Sequence, residues 1–431
     1  MITGESAPVA KAVSSEVIAG TINGDGALKV EVTKIGEHTF LAGIMRLVRE
    51  AQASKSKLQI LSDRAAYWLT LIAIGVGGTA FLFWLSARAD FGFAIERAVA
   101  VLVIACPHAL GLAVPLVASI STTLAARNGF LVKQRLALEM ARKIDIVLFD
   151  KTGTLTEGSF GVVSFSSDEA LMLAASVDAN SEHPVARGIV EEAKKQGLEI
   201  LEARSYKRIP GVGGEADIGG RKVFVGHRAG SEIVVEADGK KVGVIKVADK
   251  IRLEAKSAIE NLKNMGLKVA MITGDAEDVA KSVADELGID EYFARVLPNE
   301  KSEKVKILQE KGMKVAMVGD GINDAPALTQ ADLGIAIGAG TNVAIESAGI
   351  ILVRNDPRDI PKIINLSRIT YSKMIQNLFW ATGYNIVAIP LAAGVLAFQG
   401  ILLQPALAAV FMSLSTVIVA FNAVLMRRKK I

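Results

Sequence analysis

At 431 residues the chain is long enough for two or three domains, and its 51% apolar content and mean hydropathy of +0.38 are high for a soluble enzyme. The net charge of +4 is explained by basic residues beside apolar stretches, which argues against a nucleic-acid-binding surface. A single cysteine excludes a framework of internal disulfides.

Four uncharged stretches predict membrane-spanning helices, arranged as two hairpins. The first hairpin covers residues 65–87 and 98–124, and the second covers residues 377–398 and 401–426. Each stretch is long enough to cross a hydrocarbon core of about 30 Å at ~1.5 Å per residue. Lysine and arginine residues flank both hairpins, so the positive-inside tendency predicts that these flanks are cytoplasmic.

The segment between the hairpins, residues 125–374, is rich in Lys, Glu, Asp and Gly and is predicted to be a soluble insertion with its own core. Near the start of the chain, residues 24–33 alternate apolar and polar side chains after a glycine-rich turn. This alternation predicts a β-strand.

Polar motifs follow three short apolar runs of strand type. Ile144–Asp150 ends in an acid and continues as Lys151-Thr152-Gly153; Lys268–Ile272 is followed by Thr273-Gly274-Asp275; and Lys314–Val318 is followed by Gly319–Asp324. Open α/β sheets place their chemistry at the carboxyl ends of parallel strands, so these motifs predict a catalytic site.

The heptad DKTGTLT, Asp150–Thr156, resembles the signature of the P-type ATPases, and further motifs resemble their heavy-metal-transporting branch. The resemblance implies that Asp150 is a carboxylate nucleophile for the γ-phosphate of ATP. It implies that Asp150, Asp320 and the Thr152 carbonyl hold Mg²⁺, and that Thr273 and Lys301 contact the phosphoryl oxygens. Lys151, Gly274, Asp275 and Asp324 complete the expected catalytic set.

Related soluble phosphatases carry a second aspartate two positions after the nucleophile, where this chain has Thr152. A hydroxyl cannot activate water as a carboxylate does, so the aspartyl-phosphate should persist long enough to drive a conformational change. A membrane-tethered phosphatase is therefore the alternative that this position argues against.

Residues 157–244 have their own strand and turn signals and are predicted to form an inserted nucleotide-binding domain. By the same resemblance, the nucleotide site contains Asp178, Glu182, His183, Gly211 and Gly213, the last two because glycine lets backbone approach the nucleotide.

Cys106-Pro107-His108 lies in the middle of the second predicted span, where polar groups are costly and proline bends a helix. The resemblance, to the copper-transporting subgroup, assigns a transported-metal site to this motif and to residues of the last two spans. Those residues are Asn377, Tyr384, Asn385, Met412, Ser413, Ser415 and Thr416. Thiolate, thioether and imidazole suit copper, and a zinc, cadmium or cobalt transporter is the alternative.

Thr3-Gly4-Glu5-Ser6 resembles the actuator-domain loop of the family, whose glutamate positions water against the phospho-aspartate. Because this motif comes so early, Met1 is interpreted as an internal methionine, with metal-binding sequence and further helices expected upstream. On this interpretation a fragment that cannot transport, or that regulates complete pumps, is a further alternative.

The sequence thus predicts a multi-domain membrane protein with two α-helical hairpins and a haloacid-dehalogenase-like α/β phosphorylation domain. An α+β nucleotide-binding domain is inserted in it, and a partial β actuator domain precedes it. The predicted boundaries are 1–60 for the actuator part, 137–156 with 245–365 for the phosphorylation domain, and 157–244 for the nucleotide-binding domain. The expected cofactors are ATP and Mg²⁺, the expected partners are a heavy-metal ion and the lipid bilayer of the plasma membrane, and no nucleic acid is expected.

Overall fold

The computed structural model describes residues 56–87, 90–181, 183–209, 212–228, 232–320, 324–338 and 346–429, with short stretches at 12–15, 17, 27–33, 35–36 and 42. The described residues belong to two compact units. One unit comprises Met1–Leu148, Glu260–Ala270 and Val296–Ile431, and the other comprises Phe149–Ile259 and Met271–Arg295.

Six helices of the first unit carry most of its apolar sequence. They are α1 (Lys57–Ser86), α2 (Phe91–Ile104), α3 (His108–Arg127), α11 (Asp359–Thr382), α12 (Asn385–Ala393) and α13 (Pro405–Val424). The Ser56 hydroxyl caps α1 by accepting a hydrogen bond from the Gln59 amide, and the Asp90 carboxylate caps α2 through the Gly92 amide. Both starts are therefore set by side chains that satisfy free N–H groups of the first turn.

Three helical segments among the described residues are long and apolar enough to cross a membrane: Lys57–Ser86, Phe91–Arg127 and Pro405–Arg428. The second begins seven residues before the predicted span 98–124, so its helix includes the charged pair Glu96 and Arg97. The sequence predicted a fourth span over 377–398, but there the structure divides the chain between α11 and α12, with a break at Gly383 and Tyr384.

The Phe91–Arg127 segment is interrupted at the Cys106-Pro107-His108 motif, as its proline predicts. Helix α2 ends at Ile104 and α3 begins at His108. Proline has no N–H, so carbonyl groups of the preceding turn lose their helical donors. The Tyr384 hydroxyl lies 3.4 Å from the Ile104 carbonyl oxygen and donates to it. The break is thereby stabilised from α12's side of the bundle.

A seven-stranded sheet has the order β1-β13-β12-β11-β2-β9-β10. Its strands are β1 (Phe130–Val132), β2 (Ile146–Asp150), β9 (Lys268–Ile272), β10 (Glu291–Phe293), β11 (Val315–Gly319), β12 (Leu333–Ile337) and β13 (Ile350–Leu352). The helices α4 (Arg135–Ala141), α7 (Leu253–Asn264), α8 (Glu277–Leu287), α9 (Lys301–Glu310) and α10 (Ala325–Gln330) alternate with these strands. All five residues of β2, β11 and β12 are buried, as expected for strands covered on both faces.

The end of α3 and the start of α11 meet at the Asp359 carboxylate, which is fully buried. Arg354, which follows β13, donates to both Asp359 oxygens at 2.8–3.1 Å, and the Lys362 ammonium lies 2.7 Å from one of them. The Arg354 guanidinium also donates to the carbonyl of Asn128, the residue after α3, at 2.9 Å. One arginine therefore connects α3 to the first turn of α11.

A second sheet, of six strands, lies entirely within the second unit and has the order β3-β8-β7-β6-β5-β4. Its strands are β3 (Thr156–Phe165), β4 (Ala203–Ile209), β5 (Gly213–Ile218), β6 (Arg221–Gly226), β7 (Ile233–Ala237) and β8 (Lys240–Ile251). Helices α5 (Asp168–Asp178) and α6 (Pro184–Lys195) pack on it around an apolar core that includes Leu171, Ile189 and Val235. This sheet and its helices cover the predicted insertion 157–244, and β8 continues past that boundary to Ile251.

The strand predicted over residues 24–33 is not found in the part of it that the structure describes. Residues 27–33 have no strand hydrogen-bond pattern and are all exposed, including Leu28, Val30 and Val32. Alternation alone does not make a strand, because the backbone N–H and C=O groups also need a paired neighbour. No described strand lies beside them.

Close packing of α6 on β3 depends on Gly188. A Cβ atom at this position would lie 2.0 Å from the Phe160 carbonyl oxygen, a backbone atom that cannot move aside. We expect Gly188→Ala to destabilise the second unit by roughly 1–3 kcal/mol through overpacking. Gly161→Ala in β3 is the matched control, because a Cβ there has no neighbour within 4 Å. Urea unfolding of both variants measures the difference, and equal midpoints would contradict the packing argument.

Candidate active site and membrane site

Asp150 ends the buried strand β2 and is itself only 6% exposed. The next five residues, Lys151–Leu155, form a tight loop in which Gly153 has φ = +73°. An L-residue with a side chain rarely adopts this conformation, which explains the glycine of the DKTGT motif. The loop leaves the Thr152 side chain exposed and returns the chain into β3.

Two residues outside the motif fix this loop. The Arg252 guanidinium donates to the carbonyl oxygens of Gly153 and Thr154, at 3.0 and 3.1 Å. The Thr156 hydroxyl donates to the Lys151 carbonyl at 3.0 Å and also contacts the Asp249 carboxylate. The backbone after Asp150 is therefore held by Arg252, which directly follows β8, and by Thr156, the first residue of β3.

The Lys151 ammonium is buried between two carboxylates. Its Nζ lies 2.6 Å from Asp275 and 3.8 Å from Asp249. Burial raises the pKa of the Asp249 carboxyl, while the Thr156 hydroxyl and the Lys151 charge act in the opposite direction. One Asp249 oxygen is buried without a hydrogen-bond partner among the described residues. Lys151, the residue after Asp150, is thus held by two acids from distant parts of the sequence.

Thr273 and Asp275 follow β9 and hold one another. The Thr273 hydroxyl, on a residue 2% exposed, donates to the Asp275 carboxylate at 2.9 Å, and the Asp275 amide lies 3.1 Å from the same hydroxyl oxygen. The segment is also anchored to β10, because the Thr273 amide donates to the Phe293 carbonyl. The predicted members Lys151, Thr273 and Asp275 therefore form one cluster, with Gly274 at the exposed turn between the last two.

In the other unit, Lys301 and Asp324 form a buried ion pair with a separation of 2.6 Å. Lys301 starts α9, whereas Asp324 immediately precedes α10. The second Asp324 oxygen has no hydrogen-bond partner within the described part of the chain. A Cβ at Gly319 would lie 2.2 Å from that oxygen, so the strand must end in glycine for the carboxylate to fit. Asp320 follows at the end of β11 and is partly buried.

The predicted nucleotide residues are described in part, since Glu182 and Gly211 lie outside the described residues, as does Glu5. His183 caps α6, with its Nδ1 accepting from the Val185 amide at 3.4 Å. Burial raises the pKa of the Asp178 carboxyl, in the last turn of α5, to about 7. Gly213 has a structural reason of its own, because a Cβ there would lie 2.0 Å from the Val225 carbonyl oxygen across the β5–β6 pair.

The predicted metal-site residues differ in their exposure. Cys106 and His108 are exposed on either side of Pro107. Met412 and Thr416 are partly buried and Ser413 is exposed, each on α13. Among the described residues, no three His, Cys, Asp or Glu side chains form a group that could hold a metal. Of these four residue types the predicted metal site contains only Cys106 and His108, and its other members are Asn, Tyr, Met, Ser and Thr, so the site stays a prediction.

Three of the predicted metal-site residues are buried among the helices. Asn377 donates to the Ala113 carbonyl of α3 at 3.1 Å and accepts from Asn422 of α13 at 2.8 Å. Ser415 donates to the Met412 carbonyl. Asn385 is 3% exposed, and neither its amide oxygen nor its amide nitrogen has a partner within the described helices. Asn377 thus links helices, whereas Asn385 is a buried polar group without a hydrogen-bond partner in the described helices.

The sequence reasoning missed Asp249, Arg252 and Asn422. Asp249 lies near the end of β8 and Arg252 directly follows this strand, and an acid at a strand end is the same signal that identified Asp150. Asn422 was the one amide in the uncharged span 401–426 beyond its opening residues, and intramembrane polar groups are expected to be paired.

Comparison with known proteins identifies the family of this chain. The haloacid dehalogenase-like hydrolase family model matches residues 144–332, and the P-type ATPase actuator domain matches residues 1–49. The copper-exporting P-type ATPase B of Archaeoglobus fulgidus is 56% identical over 99% of this chain and 65% of that protein. A protein of Staphylococcus aureus described as a "Probable copper-transporting P-type ATPase B" is 43% identical over 100% of this chain and 68% of that protein. The chain belongs to the P-type ATPase family.

Its fold is also that of a solved P-type ATPase. A crystal structure of a zinc-transporting PIB-type ATPase in an E2.Pi state is similar with a TM-score of 0.76 and 32% identity, covering 92% of this chain and 68% of that one. The chain thus spans about two thirds of the length of the curated relatives it matches. The predicted family and fold class are confirmed, while the roles of individual site residues stay predictions.

Gly319 offers a test of the predicted phosphorylation site. We expect Gly319→Ala to push the Asp324 carboxylate away from Lys301, because its Cβ would overlap an Asp324 oxygen. If this ion pair is catalytic as predicted, misplacing it by about 1 Å should lower acid-stable labelling from γ-labelled ATP by on the order of 10- to 100-fold. Labelling of the Gly161→Ala chain provides the control, and normal labelling of Gly319→Ala would show that the pair is not needed.

Asp178 predicts a pH dependence of stability. A carboxyl whose pKa is raised on folding stabilises the fold when protonated, so this contribution is present at low pH and is lost as the pH rises through about 7. Between pH 6 and 8 the free energy of unfolding should fall by about 1 kcal/mol on this account. Asp178→Asn should flatten this pH dependence in urea titrations, whereas Asp285→Asn, at an exposed position, should leave it unchanged. An unaltered slope in Asp178→Asn would show that another group is responsible.

Proposed function

We propose that this chain carries the catalytic and membrane parts of an ATP-driven exporter of heavy-metal ions, with copper as the cargo, that works through an aspartyl-phosphate at Asp150. The observation that carries the proposal is the coexistence of two features in one chain. A buried strand-end aspartate stands beside a lysine–carboxylate cluster, and a membrane-crossing helix is broken at a cysteine and a histidine. A soluble phosphatase needs only the first.

The Asp150 carboxylate supplies the nucleophile. One of its oxygens forms a bond to the γ-phosphorus of ATP while the bond from that phosphorus to the β–γ bridging oxygen breaks, and ADP leaves with the electron pair. Attack of water on the phospho-aspartate then releases inorganic phosphate and restores Asp150. The Arg252 bonds to the loop carbonyls hold the backbone that presents Asp150 during both steps.

Positive charge and hydrogen-bond donors stabilise the transferred group. We assign this role to Lys301 and Thr273, because a spread of negative charge over the phosphoryl oxygens is stabilised by fixed donors. In the structure Lys301 is paired with Asp324 and Thr273 with Asp275, so both donors are held in one orientation before substrate arrives.

ATP and Mg²⁺ are the cofactors that this chemistry requires. The oxygen donors Asp150, Asp320 and the Thr152 carbonyl fit Mg²⁺, which prefers carboxylate, carbonyl, phosphate and water oxygens. When bound, the ion neutralises phosphate charge. Asp178, His183 and the Gly211-Val212-Gly213 turn are proposed to bind the nucleotide, with His183 placed at the start of α6.

Copper is favoured over zinc by the side chains of the membrane helices. Cysteine, methionine and histidine offer soft or intermediate donors, which copper prefers. No carboxylate occurs in α12 or α13, and Asn385 is the buried polar group there with no partner in the described helices. The two sequence relatives named above are described as copper transporters. The solved zinc transporter keeps zinc as the second candidate cargo.

The basic residues at the helix ends indicate the orientation of the chain in the bilayer. Helix α1 begins at Lys57, and the last helical turn ends in Arg427 and Arg428. Both basic ends are proposed to face the cytoplasm, together with the two sheets, in the plasma membrane. The opposite ends of the helices then face outward.

Phosphorylation and metal dependence test the function together. We expect the full-length protein to hydrolyse ATP faster with copper than with zinc or cobalt, and to carry an acid-stable phosphate. Asp150→Asn should abolish both signals, because an amide does not attack phosphorus as a carboxylate does. Labelling that survives Asp150→Asn would refute the aspartyl-phosphate, whereas equal stimulation by zinc would refute copper as the cargo. Metal-independent turnover with labelling of Asp150 would instead favour a membrane-tethered phosphatase.

A further inference from the structure

Arg97 is a charged residue in the interior of a membrane-spanning segment that the proposed mechanism does not use. It lies in the second turn of α2, and its side chain is 1% exposed, among the largest fully buried side chains described. A charge at such a position is costly, because lipid and apolar side chains cannot solvate it. Charged residues inside membrane spans are therefore expected to have a function.

The guanidinium is held by partners from two sides. Its Nη1 donates to the Leu403 carbonyl at 2.8 Å, its Nη2 contacts the Glu96 carboxylate, and it lies 5.3 Å from the centre of the Phe93 ring. Leu403 belongs to the loop that leads into α13. Arg97 therefore connects the start of one hairpin helix to the loop of the other hairpin.

The charge of Arg97 is compensated only in part. The Glu96 side chain is 42% exposed, so solvent weakens its attraction, and the Arg97 Nε is buried without a hydrogen-bond partner among the described residues. The guanidinium also lies in the N-terminal half of α2 and beside the start of α13, where helix dipoles add positive potential. Net positive potential is therefore concentrated at this end of the helices.

A purely structural role does not require the charge, because the same two hairpins are tied by a neutral bond nearby. The Trp84 indole N–H, at the end of α1, donates to the Ala393 carbonyl at the end of α12 at 2.9 Å. Its ring also packs edge-on against Phe93, with ring centres 5.0 Å apart. An apolar side chain at position 97 would fit the same surroundings without the desolvation cost.

The position of the charge relative to Cys106 indicates its effect. Cys106 lies nine positions after Arg97 along the same segment, a distance of about 13 Å at ~1.5 Å per residue. By the orientation proposed above, Arg97 lies on the outer side of Cys106. A cation that enters from outside must then approach this fixed positive charge before it reaches the cysteine.

We propose that Arg97 is an electrostatic barrier at the outer end of the metal pathway, which disfavours re-entry of cations from outside toward Cys106. It acts through its field on the ion and does not ligate it. The proposal rests on the proposed membrane orientation and metal pathway.

The chain's single cysteine allows a direct test. The 431-residue chain is reconstituted in liposomes, and Cys106 is labelled from the outer face with two membrane-impermeant methanethiosulfonates of similar size, one cationic and one anionic. Rates are divided by those with a free thiol in solution. We expect the anionic reagent to be favoured by about tenfold, as Coulomb's law gives for one fixed charge at roughly 13 Å with an effective dielectric constant of about 40.

The variants separate charge from packing. Arg97→Met should remove the preference for the anionic reagent, because only the Glu96 carboxylate then remains, whereas Arg97→Lys should preserve the preference. Glu96→Gln should increase it by removing the compensating acid. Trp84→Phe is the matched control, because it removes the neighbouring tie to Ala393 without changing charge, and it should leave the ratio unaltered. An unchanged ratio in both Arg97→Met and Glu96→Gln would overturn the barrier, and so would an equal loss of the preference in Trp84→Phe.

This readout does not depend on ATP hydrolysis or copper. If copper fails to stimulate hydrolysis while the labelling ratio follows the charge at position 97, the proposed cargo is wrong and the barrier stands. If copper stimulates hydrolysis but the ratio ignores position 97, the proposed function stands and the barrier is wrong.

Discussion

The connection between β13 and the membrane helices α3 and α11 depends on one interaction, the ion pair of the buried Asp359 carboxylate with Arg354. Arg354 neutralises the carboxylate from the end of β13, and the same guanidinium caps the carbonyl of Asn128 at the end of α3. A buried ion pair with both partners hydrogen-bonded is tolerated, whereas loss of one partner leaves an uncompensated charge that costs several kcal/mol. The helix that carries His108 and the helix that carries Asn377 are therefore joined at Arg354, so the end of α3 cannot move away from the start of α11 without breaking these bonds.

The same principle recurs beside Asp150. The buried Lys151 ammonium is neutralised by two carboxylates, and Arg252 donates to carbonyl oxygens of the loop that precedes β3. In both places an arginine fixes backbone carbonyl groups beside a cation that carboxylates neutralise. Rigid placement of this kind is what phosphoryl transfer requires, since positioning and fixed charge supply most of its catalysis.

Much of this arrangement could be predicted from the sequence. The strand Lys268–Ile272 has the predicted bounds, β2 ends at Asp150 as predicted, and the helix breaks at Cys106-Pro107-His108. These features are local, since an apolar run, a turn residue or a proline determines them. The partners of Lys151 and Lys301 come from distant positions, and nothing in either neighbourhood identifies Asp249 or Asp324 as the partner. Residues 27–33 show the opposite failure, because their alternating pattern has no paired strand among the described residues, and without one they do not form a β-strand.

The order of the strands has a consequence for how the chain folds. In the six-stranded sheet, β4 to β8 are joined by hairpins, so neighbours pair soon after they are synthesised. Strand β2 instead lies between β9 and β11, both made only after the whole insertion has left the ribosome. Local pairings form fast and distant ones slowly, so the antiparallel sheet should be complete while β2 is still unpaired. An apolar strand that stays unpaired is prone to aggregate with other chains. The insertion attached to the end of β2 folds first, and its bulk should limit how closely two such strands can approach.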